Sequence, residues 1–129
     1  MYLVIDITNY QGFELGLYER TNSPSFFDRK KYDLPSDRLL ASIKNFLSKN
    51  KLTIDDLRGI AMTHSGSFTT ERSAAVIANA IGYAKNIPVV DFGKGEDPLK
   101  KIKSQKKFIP VRPVYSRPPN ITMPKKQTT

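Results

Sequence analysis

Asp6 stands near the start of the chain, at the end of the apolar run Tyr2-Leu3-Val4-Ile5. An acid there could anchor a divalent cation for phosphodiester cleavage, and that chemistry needs three or four clustered carboxylates. The other acids available, Asp28, Asp33, Asp55, Asp56 and Asp91, show no ligand spacing. Asp6 therefore reads first as a hydrogen-bond acceptor for the turn that follows it, where Thr8 lies. His64 is the only histidine, in the stretch His64-Ser65-Gly66-Ser67. It could form half of a nucleophile–base pair, but it has neither a Gly-x-Ser-x-Gly elbow nor an orienting acid, so a turn that opens a helix is the simpler reading. Gly66 and Ser67 could receive an anion at that helix N-terminus, although the Gly-Lys-Ser/Thr of a phosphate loop is missing. Asp6, Thr8, Gly66 and Ser67 are thus the candidate remnant of an anion or nucleotide site. No cofactor is expected, and a nucleotide only at the interface with a partner. With no cysteine, disulfides, thiolate metal sites and cysteine nucleophiles are excluded.

The chain has 129 residues and a formal charge of +9. Residues 1–93 carry 11 Lys/Arg against 10 Asp/Glu, whereas residues 94–129 carry 10 against 2. Six of the nine prolines also lie in the last quarter. This predicts a nearly neutral body over 1–93 and a basic, proline-rich arm over 94–129. In the arm, Lys100, Lys101, Lys103, Lys106, Lys107, Arg112, Tyr115 and Arg117 are candidate RNA contacts, the cations for phosphates and the tyrosine for a base. A solvated tail that aids solubility is the competing reading. No segment reads as a leader or as a membrane span, so a cytoplasmic location is expected.

The elements that must position these groups follow from periodicity. Residues 2–8 form a β-branched run apolar on both faces, the pattern of a central strand. Residues 13–20 alternate as a second strand, and 25–32 fit a third. Pro35-Ser36-Asp37 opens a helix in which Leu39, Leu40, Ile43, Phe46 and Leu47 share one face. Thr53-Ile54-Asp55-Asp56 has the form of a capping box. Gly59–Thr63 is a short buried strand, Phe68–Asn86 a helix and 87–92 a last strand. The second helix carries no charge between Arg72 and Lys85. Its apolar residues fall on two sides, with Ala74, Ile77, Ala78 and Ile81 on one and Val76, Ala80 and Tyr83 on the other, so one side lacks cover from a chain this short. A short Lys-rich helix is expected near 98–107.

The order β-β-β-α-β-α-β predicts an α/β fold with a mixed sheet, the ribonuclease H-like unit that also forms each half of the actin, hexokinase and sugar-kinase superfamily. Several motifs then resemble the TsaB (YeaZ) family. Asp6-Ile7-Thr8-Asn9 is similar to its first-strand turn. His64-Ser65-Gly66-Ser67-Phe68-Thr69-Thr70-Glu71-Arg72 is similar to its Gly-Pro-Gly-Ser-Phe-Thr-Gly-x-Arg loop, and Pro113-Val114-Tyr115-Ser116-Arg117 to its Pro-Val-Tyr-x-Arg tail. The family has a second subdomain between the last strand and the tail. Here only residues 93–112 fill that interval.

The resemblance implies a non-catalytic partner of a TsaD-like transferase in tRNA threonylcarbamoyladenosine formation, a homodimer when alone, with a TsaE-like ATPase and tRNA reached through the complex. The implied interface comprises Leu39, Ile43, Phe68, Thr69, Arg72, Val76, Asn79, Ala80 and Tyr83. Two other readings remain open: a metal-dependent nuclease or resolvase built on Asp6, and a homodimeric RNA-binding module that uses the arm.

Overall fold

Among the described residues, five strands and three α-helices appear in the expected order in the computed structural model: β1 (Tyr2–Asp6), β2 (Gly12–Tyr18), β3 (Asp28–Asp33), α1 (Leu39–Lys49), β4 (Gly59–Thr63), α2 (Phe68–Lys85), β5 (Val89–Phe92) and α3 (Pro98–Ser104). The structure describes residues 1–8, 12–20, 26–33, 38–63, 68–93, 95–105 and 107–111, with the side chains of 68–71 outside that set. The strands lie in the order β3-β2-β1-β4-β5. β1 pairs antiparallel with β2 and parallel with β4, so it is the central strand that its sequence predicts. β2–β3 is antiparallel and β4–β5 parallel. The mixed α/β fold predicted from the sequence is the one observed.

Strand alternation separates two cores. Leu3 and Ile5 of β1 face the same way as Ile60 and Met62 of β4, and they pack with α1 and α2 through Leu39, Ile43, Phe46, Ala74 and Ala78. Val4, Ala61 and Val90 point to the other face, where Leu99 and Ile102 of α3 cover them. Residues 98–104 therefore belong to the folded body, which runs past the expected boundary at 93 and reaches the buried Val111. The short helix has a firm start, because the Asp97 side chain accepts from the amides of Leu99 and Lys100 and Pro98 occupies the first turn.

β3 begins later than the sequence suggests, at Asp28 and not at 25. Phe26 is turned onto the sheet, with its ring stacked at a tilt on Tyr18 (4.5 Å between centroids). It fills the space over Gly16, where an added Cβ would lie 2.2 Å from the ring. At the other edge of β3, Arg29, Lys30 and Lys31 are all exposed, which guards an open edge against further strand pairing. The capping box forms as read, with the Thr53 amide donating to Asp56 Oδ2 at 2.8 Å.

Asp28 ties β3 to the end of α1. Its Oδ2 accepts from Asn50 Nδ2 at 3.0 Å, with Lys49 Nζ 3.7 Å away, while Oδ1 accepts from the Arg29 amide. The bond from Asn50, followed by the Arg29 amide and the Lys49 charge, holds this carboxyl below the usual carboxylate value. A depressed value means stabilisation that is present at neutral pH and lost as pH falls below the unfolded value of about 3.9. Asp28→Asn should therefore lower the urea midpoint at pH 7, and the gap to the parent should close in melts repeated at progressively lower pH.

Candidate functional site

α2 lies on the sheet by its smallest residues. Ala74, Ala75, Ala78 and Ile81 are buried, and Gly82 fits where a Cβ would stand 2.3 Å from Val89 Cγ2 and 2.8 Å from the Phe108 ring. Small side chains on the inner side bring the helix close, and they leave the apolar residues at the i, i+4 and i+7 positions directed outward. Val76 is 60% and Tyr83 78% exposed, and Ala80 between them is exposed as well. α1 packs beside α2 and adds Leu40, 40% exposed. Arg72 is exposed one turn before Val76.

The structure moves three of the expected interface residues off this surface. Leu39 and Ile43 are 0% exposed because the main apolar stripe of α1 faces the sheet, so they hold the fold and offer nothing to a partner. Leu40, on the margin of that stripe, takes the outward position. Asn79 is half-buried and committed to its own chain: its Nδ2 donates to Val111 O, and its Oδ1 accepts from the Val111 amide, both at 2.8 Å. Phe68 and Thr69 have side chains outside the described set, and His64, Ser65, Gly66 and Ser67 lie outside the described residues.

The Asn79 pair anchors a segment that wraps the β5 edge of the sheet. Gln105 Nε2 donates to Val89 O at 3.0 Å, which caps one outward carbonyl of that edge strand. Phe108 then meets Tyr83 edge-on, 6.0 Å between centroids, and Val111 lies buried beside Asn79. The chain thus passes from the α3 side of the sheet to the α2 side.

Asp6 projects on the α3 face. Its Oδ1 accepts from the Thr8 amide (3.0 Å), from Thr8 Oγ1 (2.7 Å) and from Thr63 Oγ1 (3.4 Å). Thr63 Oγ1 in turn accepts from the Ile7 amide at 2.8 Å. The carboxylate thus fastens the end of β1 to β4, the turn role read from its position. Glu14 stands opposite Asp6 across the β1–β2 pair and is 3.6 Å from Arg29 Nε. Among the described residues no group of three or more His, Cys, Asp or Glu side chains could hold a metal ion, so the carboxylate cluster that the nuclease reading requires is not found there. Of the arm's candidate contacts, Lys100, Lys103 and Lys107 are exposed and Lys101 pairs with Glu96 (3.5 Å). Lys106, Arg112, Tyr115 and Arg117 lie outside the described residues. No described helix is long and apolar enough to cross a membrane.

The architecture and the site together define a ribonuclease H-like α/β unit in which, among the described residues, the apolar outer face of α2 is exposed. No protein-family model matches this sequence, and no curated protein matches it. Among solved structures it is similar to YeaZ from Pseudomonas aeruginosa, with TM-score 0.58 and 20% identity over 71% of this chain and 42% of that one. A second structure, described as an uncharacterized protein with similarity to peptidase YEAZ from Pseudomonas aeruginosa, gives TM-score 0.59 with the same identity and coverage. The fold is therefore similar to that of part of YeaZ, and the shared part spans less than half of either solved chain.

Removing the Asn79 side chain should free the end of the wrapped segment at Val111. Asn79→Ala leaves both Val111 backbone groups without their partner, at a cost of about 1–3 kcal/mol. The expected result is a lower melting temperature with faster hydrogen exchange at the Val111 amide, while the amides of β1 stay protected.

Proposed function

We propose that this chain is a non-catalytic scaffold subunit for a TsaD-like transferase in tRNA N6-threonylcarbamoyladenosine modification, docking through the outward face of α2. The observation that carries the reading is the stripe Val76, Ala80 and Tyr83, with Leu40 beside it: apolar side chains at helical spacing, in the open, on a helix with no charge between Arg72 and Lys85. Exposed apolar surface gathered on one helix is the mark of an association site. Small residues let a second helix approach closely, and Tyr83 supplies a large amphipathic contact of the kind that dominates interface energies. The YeaZ fold and the Gly66-Ser67-Phe68-Thr69…Arg72 and Pro113-Val114-Tyr115-Ser116-Arg117 motifs support the choice of partner.

On this reading no residue of this chain makes or breaks a bond. The bonds at Asp6 suit a structural carboxylate, and the scaffold stabilises the active arrangement of the transferase by covering a matching apolar surface on it. In the absence of that partner the same face pairs two copies of this chain. The chain works in the cytoplasm, and a nucleotide or a TsaE-like ATPase is met only in the assembled complex.

The test is co-elution of the full chain with the TsaD-like protein of the same organism. Val76→Glu/Tyr83→Glu should abolish co-elution and self-association. Val76→Glu should leave unfolding free energy within about 0.5 kcal/mol of the parent, and Tyr83→Glu should cost about 0.5–1.5 kcal/mol for its edge-on contact with Phe108, with the fold retained. Co-elution unchanged by the double substitution, or transferase activity indifferent to this chain, would overturn the proposal.

A further inference from the structure

We propose that the outer surface of α3 is an RNA-binding platform on the opposite side of the sheet from the α2 stripe, so that RNA and the protein partner bind at the same time on separate faces. The choice of RNA over DNA rests on the tRNA-modification reading above.

The folded part of the molecule is not evenly charged. Residues 94–107 hold six lysines against Glu96 and Asp97. Leu99 and Ile102 turn α3 onto the sheet, which places Lys100 and Lys103 one turn apart on the outside, with Lys107 exposed just beyond the helix. The two acids of the segment itself, Glu96 and Asp97, are engaged elsewhere. Glu96 Oε1 accepts from the Gly93 amide at 2.7 Å and its Oε2 pairs with Lys101, while Asp97 is used as the helix cap. A cleft of about 600 Å³ follows the β5 edge next to α3, lined by Lys101, Lys107, Gln105, Ile109 and Val111 and by one acid, Asp91, among others. Ile109 is half exposed there. Cations with apolar surface at their side suit a strand that offers both phosphates and bases.

An anionic membrane is the other polyanion to consider. A helix that lies on a membrane needs an apolar face to bury in it. The apolar residues of α3 are already spent on the core, with Leu99 4% and Ile102 3% exposed. What remains outside is charge, which suits a phosphate backbone.

The geometry keeps the two functions apart. Val4, Ala61 and Val90 face α3 and the alternate residues of the same strands face α2, so the sheet lies between Lys100 and Lys103 and the Val76/Tyr83 stripe, while Lys107 stands at the β5 edge beside Phe108, where the chain crosses over.

The test is fluorescence anisotropy of the full chain with a labelled tRNA transcript across a salt series, with Lys100→Gln/Lys103→Gln/Lys107→Gln as the variant. Losing three phosphate contacts should weaken binding about tenfold or more and flatten the log–log salt slope by about two. Lys30→Gln/Lys44→Gln/Arg58→Gln removes the same charge from exposed sites elsewhere and should change affinity by no more than about threefold. Val76→Glu/Tyr83→Glu should bind the transcript as the parent does, and the α3 variant should still co-elute with the transferase.

No binding by the parent chain, equal binding by the α3 variant, or an equal loss in the charge-matched control would overturn the platform. So would phosphatidylserine vesicles that bind in a manner dependent on the same lysines while the transcript does not. Competition between transcript and transferase for the chain would overturn the two-face arrangement. Failure to co-elute with the transferase, with lysine-dependent RNA binding intact, would count against the proposed scaffold role alone.

Discussion

The close seating of α2 on the sheet is the contact on which the rest of the molecule depends. Alanines 74, 75 and 78 and glycine 82 bring the helix axis near the strands, where larger side chains would hold it away. That closeness decides three things together. It packs Val89 against Gly82 and so fixes the edge strand. It leaves room at Gly82 for Phe108, which starts the segment that closes the sheet. It also spends the small residues inward, so the larger apolar ones, Val76 and Tyr83, have only the outside to occupy. The unpartnered face is a direct result of how the covered face is built.

Much of this was legible in the sequence, because burial on two faces leaves a simple mark. β1 and β4 are continuous apolar runs, and both fell where their residues predicted. The division of α2 into an Ala74/Ala78/Ile81 side and a Val76/Ala80/Tyr83 side followed from its period alone. Two kinds of feature were hidden. The start of β3 depends on Phe26 finding the gap over Gly16, a contact across the β2–β3 hairpin that leaves no mark in the periodicity of 25–32. Asn79 read as a surface residue because its partner, Val111, is 32 positions away. α1 shows a third limit, since an apolar stripe tells that a face is covered but not by what. The sheet claims Leu39 and Ile43, which the stripe alone cannot distinguish from partner contacts, and nothing in that stripe sets the outward Leu40 apart from them.

The sheet also sorts chemistry by side. Toward α1 and α2 the sheet is covered by an apolar core. Toward α3 lie Asp6, Glu14, Thr63 and the lysine-bearing helix, so charge collects where the second core is thin. The carboxylate of Asp6 is held by Thr8 and Thr63 on that side, and this fastening fixes the end of the central strand from which both layers take their spacing.

The amide pair between Asn79 and Val111 sets a floor on how short this polypeptide can be and still close its architecture. A product ended at Phe92 would lose the cap on Val89, the ring over Gly82 and the plug at Val111, and its last strand would present raw backbone to any passing strand. One asparagine therefore works as a length gauge.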